Sequence, residues 1–252
     1  MTTLVVLADP PIEGVVGQQL VETTSLDAGA VVSLHEAMLS DVVRAAEAAS
    51  GQLLVNYRPR EHLDIAADVS PKGRLEDVVS AAVQKPDDVR YEVQVGSTFA
   101  ARVGNTVTHL LESEEEGSVH VFEPTVPLVT RRGIDSTSMK LRRSPVVLSP
   151  GPGGRVGYAG FGEPIDFDGA YDPPAVTSLV EAARSADLGV DFAPSLQPVE
   201  TAADLASVVS VVRARARADR IYPAQTHEWA EEHGVYAVGS EDGLRVEKTD
   251  SD

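Results

Sequence analysis

Short apolar segments alternate with amphipathic segments along most of the chain, and this alternation restricts the fold more than any other feature of the sequence. Leu4–Ala8 and Gln52–Tyr57 are apolar runs, typical of strands that are covered on both faces of a parallel sheet. Between them, Ala28–Ser50 carries apolar residues at every third or fourth position, as a helix packed on a sheet does. The sequence therefore predicts one α/β fold, with a doubly wound, mixed but mostly parallel sheet flanked by helices.

The same patterns predict the remaining elements. The predicted strands are Leu4–Ala8, Gln52–Tyr57, Arg90–Val95, Ser118–Phe122, Pro145–Leu148 and Val190–Ala193. The predicted helices are Ala28–Ser50 capped by Asp27, Leu75–Val83, Ser97–Leu111, Pro173–Ala186 capped by Asp172, Thr201–Asp219 and Pro223–His233. Pro150–Gly162 is predicted to be a glycine-rich loop that leads into an extended segment.

We expect a core domain over residues 1–221 and a C-terminal extension over residues 222–252. The extension is predicted to hold a short helix, a hairpin that turns at Ser240–Gly243, and an acidic tail. The hairpin and helix expose Trp229, Tyr236 and Val238 in this prediction. These side chains either cover the core, which is the commoner use, or form a contact between two copies in a homodimer.

The charge balance excludes several classes of function. The chain has 39 Asp and Glu against 21 Lys and Arg, a net charge of -18, and only four of its cations are lysines. Such a surface repels nucleic acid, and no apolar run is long enough to cross a membrane. No leader pattern precedes the first strand, so we expect a cytoplasmic protein. The composition, of haloarchaeal type, indicates solvation in concentrated salt; an acidic surface for a basic partner is the alternative.

The standard catalytic motifs are missing from the sequence. There is no P-loop, no G-x-S-x-G and no H-E-x-x-H, cysteine is absent, and the six histidines are scattered. Doubly wound folds bind ligands beyond the carboxyl ends of their parallel strands, so the loops at that edge are the candidates. Plain turns are the alternative for each loop taken alone. The candidate loops are Asp9–Leu20, Glu123–Thr130, Ser149–Gly157 and Gln197–Leu205.

In this order, these loops and their neighbours resemble a known family. From about Leu4 to Arg213 the chain looks like the uncharacterised glycosyltransferase-like proteins of the GT-A fold, in the nucleotide-diphospho-sugar transferase superfamily. Their relatives are the 2-phospho-lactate guanylyltransferases and the sugar-nucleotide pyrophosphorylases. The resemblance implies a GT-A-like sheet and a nucleotide or sugar nucleotide as ligand. The matching segments are Pro11–Leu20, Leu34–Asp41, Gln94–Arg102, Glu123–Thr130, Val147–Val156 and Pro198–Leu205.

The resemblance also implies which residues would contact a ligand, and where the chain departs from the family. Candidate ligand-binding residues are Gly14, Gln18, Gln19, Arg102, Thr125, Gly151, Gly153, Gly154 and Arg155. The family's phosphate-binding Lys and Arg are replaced by Gly17, Gln18 and Gln19. Its metal-binding and neighbouring aspartates are replaced by Thr125, Gly153 and Pro198. Glu123 and Glu200 are adjacent to lost positions and are the candidate replacement metal ligands.

These departures lead to our main functional hypothesis. Phosphoryl-centre transfer depends on a metal and on cations that neutralise charge, and both sets are depleted here. We therefore expect a GT-A-like protein that has lost ordinary metal-dependent nucleotidyl or glycosyl transfer and acts as a ligand-binding, regulatory or partner-binding domain. The alternative is an active transferase with a rebuilt site, which would use Mg²⁺ or Mn²⁺. A third alternative is an unrelated α/β binding module.

Overall fold

A seven-stranded sheet forms the centre of the protein in the computed structural model, which describes residues 1–66, 69–241 and 243–249. The strand order is β3-β2-β1-β4-β6-β5-β7, and β6 alone runs antiparallel to its neighbours. This arrangement confirms the predicted mixed, mostly parallel sheet. The strands are β1 (Thr2–Ala8), β2 (Gln52–Tyr57), β3 (Arg90–Val93), β4 (Ser118–Phe122), β5 (Val146–Ser149), β6 (Tyr158–Phe161) and β7 (Val190–Phe192).

Eight α-helices flank or extend this sheet within the described part of the chain. Asp27, Ser70, Thr98, Thr130 and Thr201 cap five of them, each accepting a hydrogen bond from a backbone N–H three residues on. The fourth helix continues as one π-helical turn, His109–Ser113. The helices are α1 (Gln18–Thr23), α2 (Ala28–Glu47), α3 (Pro71–Ala82), α4 (Phe99–Thr108), α5 (Arg131–Leu141), α6 (Ala175–Ser185), α7 (Ala202–Arg217) and α8 (Ala224–Glu232).

Alternate residues of β1 divide the core into two layers. Leu4 and Val6 pack with α2 and α3 on one face of the sheet, while Val5 and Leu7 pack with α4 and α6 on the other. All four side chains are buried, which explains why β1 reads as a continuous apolar run. Because β1, β2 and β4 run parallel to one another, their carboxyl ends lie at the same edge of the sheet.

The structure differs from the sequence prediction in three local features. The sequence pattern missed α5, whose apolar face consists of little more than Ile134 and the buried Thr137. It also missed α1, a six-residue helix with one buried residue, Leu20. Asp172 was predicted to cap α6, but Pro174 holds the N-cap position and no side chain caps the helix. The extended segment expected after the glycine-rich loop is the antiparallel strand β6.

The C-terminal extension packs on the rest of the protein. The hairpin β8 (Val235–Ser240) and β9 (Gly243–Lys248) forms a separate two-stranded sheet, as predicted. Its predicted turn includes residue 242, and the predicted acidic tail includes residues 250–252, which lie outside the described residues. Trp229 was expected to be exposed, but it is only 3% exposed and packs with α2 and α7. It therefore belongs to the core.

Among the described residues, no helix is both long enough and apolar enough to cross a bilayer.

Candidate functional site

A cavity of about 310 Å³ opens at the carboxyl edge of the sheet, beyond the ends of β1 and β4. We call it the main cleft. Its apolar lining residues include Leu7, Val15, Val16, Leu20, Val31 and Met38. Its polar lining residues are Asp9, Gln18, Gln19, His35, Gln94, Arg102, Glu123, Thr125 and Glu200. A cavity of this size and mixed lining is typical of a site for a small organic ligand.

Four polar atoms at this cleft are buried and have no hydrogen-bond partner. They are Nε2 of His35, Oε1 of Gln94, Nε of Arg102 and Oγ1 of Thr125. Buried polar atoms are nearly always paired, because an unpaired one costs roughly 1–3 kcal/mol. Four of the seven such atoms in the described residues thus belong to residues that line this cleft.

His35 presents a neutral imidazole to the cleft. Burial lowers the pKa of His35 to about 4, although Asp9 acts in the opposite direction through its charge and through a backbone hydrogen bond. Since Nε2 is unpaired, that backbone bond uses Nδ1, and Nε2 is left as an acceptor. Gln94 is arranged similarly, because its Nε2 donates to the Asn56 carbonyl at 2.7 Å and its Oε1 remains open.

Glu123 lies in the main cleft beside Glu200. Burial raises the pKa of Glu123 to about 8, and the neighbouring charge of Glu200 adds to this effect. Arg155 opposes the shift. Glu123 is consequently mostly protonated at neutral pH and available as a hydrogen-bond donor.

Arg102 is the cation with the freest access to the main cleft. Burial lowers the pKa of Arg102, with Asp9 acting in the opposite direction, and the side chain stays charged at neutral pH. Arg102 forms no ion pair with any residue that the structure describes. Asp9, in contrast, is already held by Arg58, whose Nη2 lies 2.7 Å from Oδ2 of Asp9.

A second cavity of about 560 Å³ adjoins the main cleft and shares Phe99, Glu123 and Glu200 with it. Arg155 lines this second cavity, but its guanidinium is committed to carboxylates. It donates to both oxygens of Asp204 at 2.8 and 2.6 Å, and to Glu200 at 3.2 Å. Burial acts to raise the pKa of Asp204, yet the hydrogen bonds from Arg155 and from Thr201 outweigh it and lower that pKa to about 2. Arg155 therefore holds the start of α7 in place through these two carboxylates.

The backbone of the loop before α1 favours glycine at position 17. Gly17 has a left-handed φ of 63°, and a Cβ built there would lie 2.2 Å from Cγ1 of Val31. This backbone leaves no space for a side chain of any kind. Gln18 and Gln19 follow at the start of α1 and line the main cleft. Gly14 is exposed, accepts a short hydrogen bond from Gln18, and lines neither cavity.

The glycine-rich loop after β5 borders the second cavity. Gly153 and Gly154 both line it with positive φ, and a Cβ on Gly154 would lie 2.7 Å from that of Pro174. Gly151 stands apart: its N–H donates to the Arg155 carbonyl at 2.7 Å, and it borders neither cavity. The turn geometry thus accounts for Gly151 without a ligand.

Most of the sequence-derived candidates converge. Gln18, Gln19, Arg102, Glu123, Thr125 and Glu200 line the main cleft, and Gly153, Gly154 and Arg155 line the adjoining cavity. Within the described residues no three His, Asp or Glu side chains are grouped as metal ligands. A bound Mg²⁺ or Mn²⁺ would therefore take Glu123, Glu200 and oxygen atoms of the ligand's phosphates, a set that such ions do use.

Sequence reasoning missed three polar residues of the main cleft. Asp9 lies in a predicted candidate loop, and His35 and Gln94 lie in segments that carry the family resemblance, but none was selected as a site residue. The available signal was position: Asp9 directly follows β1, and Gln94 directly follows β3, at the edge where parallel strands end. His35 carries no such signal, because only the packing of α2 shows which helix face meets the cleft.

Comparison with solved structures identifies the fold. A candidate nucleotide-diphospho-sugar transferase from Desulfovibrio desulfuricans G20 superposes with a TM-score of 0.75 at 17% identity, over 92% of this chain and 94% of that one. The chain has the nucleotide-diphospho-sugar transferase-like fold. A cytidylyltransferase from Leptospira borgpetersenii serovar Hardjo-bovis (strain JB197) gives a TM-score of 0.51 at 8% identity, over 92% and 94% of the two chains. No family model matches the sequence, and no curated protein does.

Proposed function

We propose that the main cleft binds a nucleotide or a sugar nucleotide, and that the protein does not carry out ordinary metal-dependent transfer. The observation that carries the proposal is the group of four unpaired buried polar atoms in a cleft that also has apolar lining residues. The apolar lining suits a nucleobase, and the acceptors on His35 and Gln94 suit its N–H groups or the ribose hydroxyls. The fold supports this ligand class, because the Leptospira structure of the same fold is a cytidylyltransferase.

The charges of the site argue for a ligand with few negative charges. Asp9 is held by Arg58, and Arg155 is held by Asp204 and Glu200, which leaves Arg102 to face a phosphate. Glu123, largely protonated, adds a neutral donor. One free cation balances a monophosphate or part of a diphosphate, whereas a triphosphate needs a metal and several cations.

Calorimetric titration tests this proposal. UMP, CMP, GMP, UDP-glucose, CTP and GTP are titrated into the full chain with Mg²⁺, Mn²⁺ or EDTA, at low and at molar KCl. We expect a mono- or diphosphate ligand to bind in EDTA, and Arg102→Gln to weaken it about tenfold or more. Arg142→Gln removes the same charge at an exposed site outside both cavities and serves as the control. Binding that requires a metal and is followed by release of pyrophosphate or nucleoside diphosphate would refute the proposal.

The second candidate is an active transferase, and one observation favours it. Glu123 and Glu200 lie close enough for the charge of one to raise the pKa of the other, as two ligands of one metal do before the metal binds. Mn²⁺ binding that is lost in both Glu123→Gln and Glu200→Gln, together with turnover of a sugar nucleotide, would favour this candidate. The relation to guanylyltransferases and a homodimer remain predictions, as does adaptation to concentrated salt.

A further inference from the structure

A third cavity, of about 470 Å³, lies apart from the candidate site. It is formed by α2, the start of α5, α7 and the segment that leads into α8. None of its lining residues borders the main cleft or the second cavity. We call it the arginine groove, because Arg44, Arg131, Arg132 and Arg215 line it.

Four arginines at one groove are unexpected on a chain with a net charge of -18. They come from three different helices, so the fold, rather than one basic run of sequence, brings them together. Arg132 and Arg215 form no ion pair with any described residue, and Arg131 has only a 3.4 Å contact with the partly exposed Asp135. Arg44 is engaged elsewhere, because its Nε donates to the Ala82 carbonyl at 2.8 Å. The other three arginines thus have at most one weak acidic partner among the described residues.

The start of α5 also lies at the groove. Arg131 and Arg132 occupy the first turn of α5, where the helix dipole disfavours cations. Asp41 is the one carboxylate among the lining residues, and it accepts hydrogen bonds from the N–H groups of Gln225 and Thr226, at the start of α8, at 3.1 and 2.8 Å. The positive end of α8 is therefore already paired. Burial raises the pKa of Asp41, whereas its hydrogen bonds from Thr226 and the charge of Arg44 act in the opposite direction.

Most of the remaining lining is apolar. It includes Pro127, Leu128, Ile221 and Tyr222, and Ile221 is 82% exposed. A concave, mainly apolar surface with a few converging charges is the usual form of a small-molecule site. An exposed isoleucine at its border gives an apolar ligand a surface to cover.

We propose that the arginine groove binds a small soluble organic anion, in which a phosphate, sulfonate or carboxylate is attached to an apolar body. The arginines would hold the anionic group, and the apolar lining would cover the body. Extended polyanions and anionic membranes fit less well, because the strong negative charge of the whole chain repels them. A small molecule contacts only the groove.

Fluorescence titration with 8-anilinonaphthalene-1-sulfonate tests this site, and the neutral N-phenyl-1-naphthylamine serves as the uncharged analogue. We expect saturable binding of the sulfonate to the folded full chain, and binding of the analogue at least tenfold weaker. The double variant Arg132→Gln/Arg215→Gln should raise the Kd for the sulfonate at least tenfold. The control, Arg142→Gln/Arg143→Gln, removes two exposed arginines at the far end of α5 and should leave the Kd unchanged.

The outcomes separate this proposal from the proposed function. A Kd that is the same in the wild-type and the groove variant overturns the proposal, as does equal binding of the neutral analogue. A Kd that changes in Arg102→Gln instead assigns the probe to the main cleft and also overturns it. Failure here leaves nucleotide binding in the main cleft unaffected, because the two cavities share no residue.

Discussion

The protonation of Glu123 should be visible in the stability of the protein, through the substitution Glu123→Gln. The raised pKa of about 8, against 4.5 for the ordinary side chain, means that the native state holds a proton which the unfolded chain has released. The free energy of unfolding is therefore not lowered by this group below pH 4.5, and it falls as the pH rises towards 8. Glutamine has nearly the same shape, does not ionise, and escapes this loss.

The magnitude follows from the size of the shift. Each pH unit between the two pKa values corresponds to about 1.4 kcal/mol of unfolding free energy, so the whole interval has an upper limit of about 5 kcal/mol. Glu123 is only partly buried, and water in the open cleft stabilises its charged form, so we expect about 4 kcal/mol, somewhat below this limit. Relative to wild type, Glu123→Gln should gain this amount between pH 5 and pH 9.

Urea unfolding of both proteins at pH 5, 6.5, 8 and 9 measures this difference. Subtracting the unfolding free energy of wild type from that of the variant removes the contribution of all other titrating groups, because both chains contain them. Glu112→Gln makes the same chemical change at an exposed position and is the control. If the gain of Glu123→Gln stays constant within about 0.5 kcal/mol over this range, the assignment of a buried, protonated Glu123 is refuted.

Three further substitutions test the fold around the site. Gly17→Ala should cost about 2–4 kcal/mol, because the left-handed backbone and the 2.2 Å approach to Val31 both oppose a side chain; a urea-measured loss below about 1 kcal/mol would contradict this. Trp229→Ala should cost about 3–5 kcal/mol and lower the Tm by roughly 8–15 °C in one calorimetric transition, since the indole is buried and donates to the Ala30 carbonyl; an early separate transition of the C-terminal extension would show that it is not part of the core. Thr201→Ala should cost about 1 kcal/mol through loss of the capping box of α7, with Thr177→Ala, an exposed first-turn position of α6 that caps no helix, as the comparison in the same urea assay.

The success of sequence reasoning on this fold depended on burial. β1, β2 and β4 were predicted well, because strands covered on both faces must be apolar throughout. The helix α2 was predicted because its long apolar stripe and its Asp27 cap are both visible in the sequence. The helix α5 escaped notice, because few of its side chains are apolar and local capping by Thr130 is its main signal.

The site was predictable only in part, for a different reason. Topology places loops at the carboxyl edge of the sheet, so Glu123, Thr125 and Glu200 could be selected from their positions after strands or before α7. Whether a charged side chain is free to bind a ligand depends on partners that are distant in sequence. Arg155 looked like a cation free to bind phosphate, yet Asp204, 49 residues away, occupies it. Pairings of this kind follow from the tertiary fold, and no local pattern reveals them.

The unpaired atoms of the main cleft also bear on whether the cleft is a remnant without function. A buried polar atom without a partner costs roughly 1–3 kcal/mol, so the four together are a substantial fraction of an ordinary stability of 5–15 kcal/mol. A single substitution such as Thr125→Val would remove one of these costs while nearly preserving the shape of the side chain. The cleft instead remains open, with a lining of both apolar and polar residues. With Gly17 rather than a cation in its first loop, the cleft has little positive charge, yet it keeps unpaired donors and acceptors of the kind that the proposed nucleotide would pair.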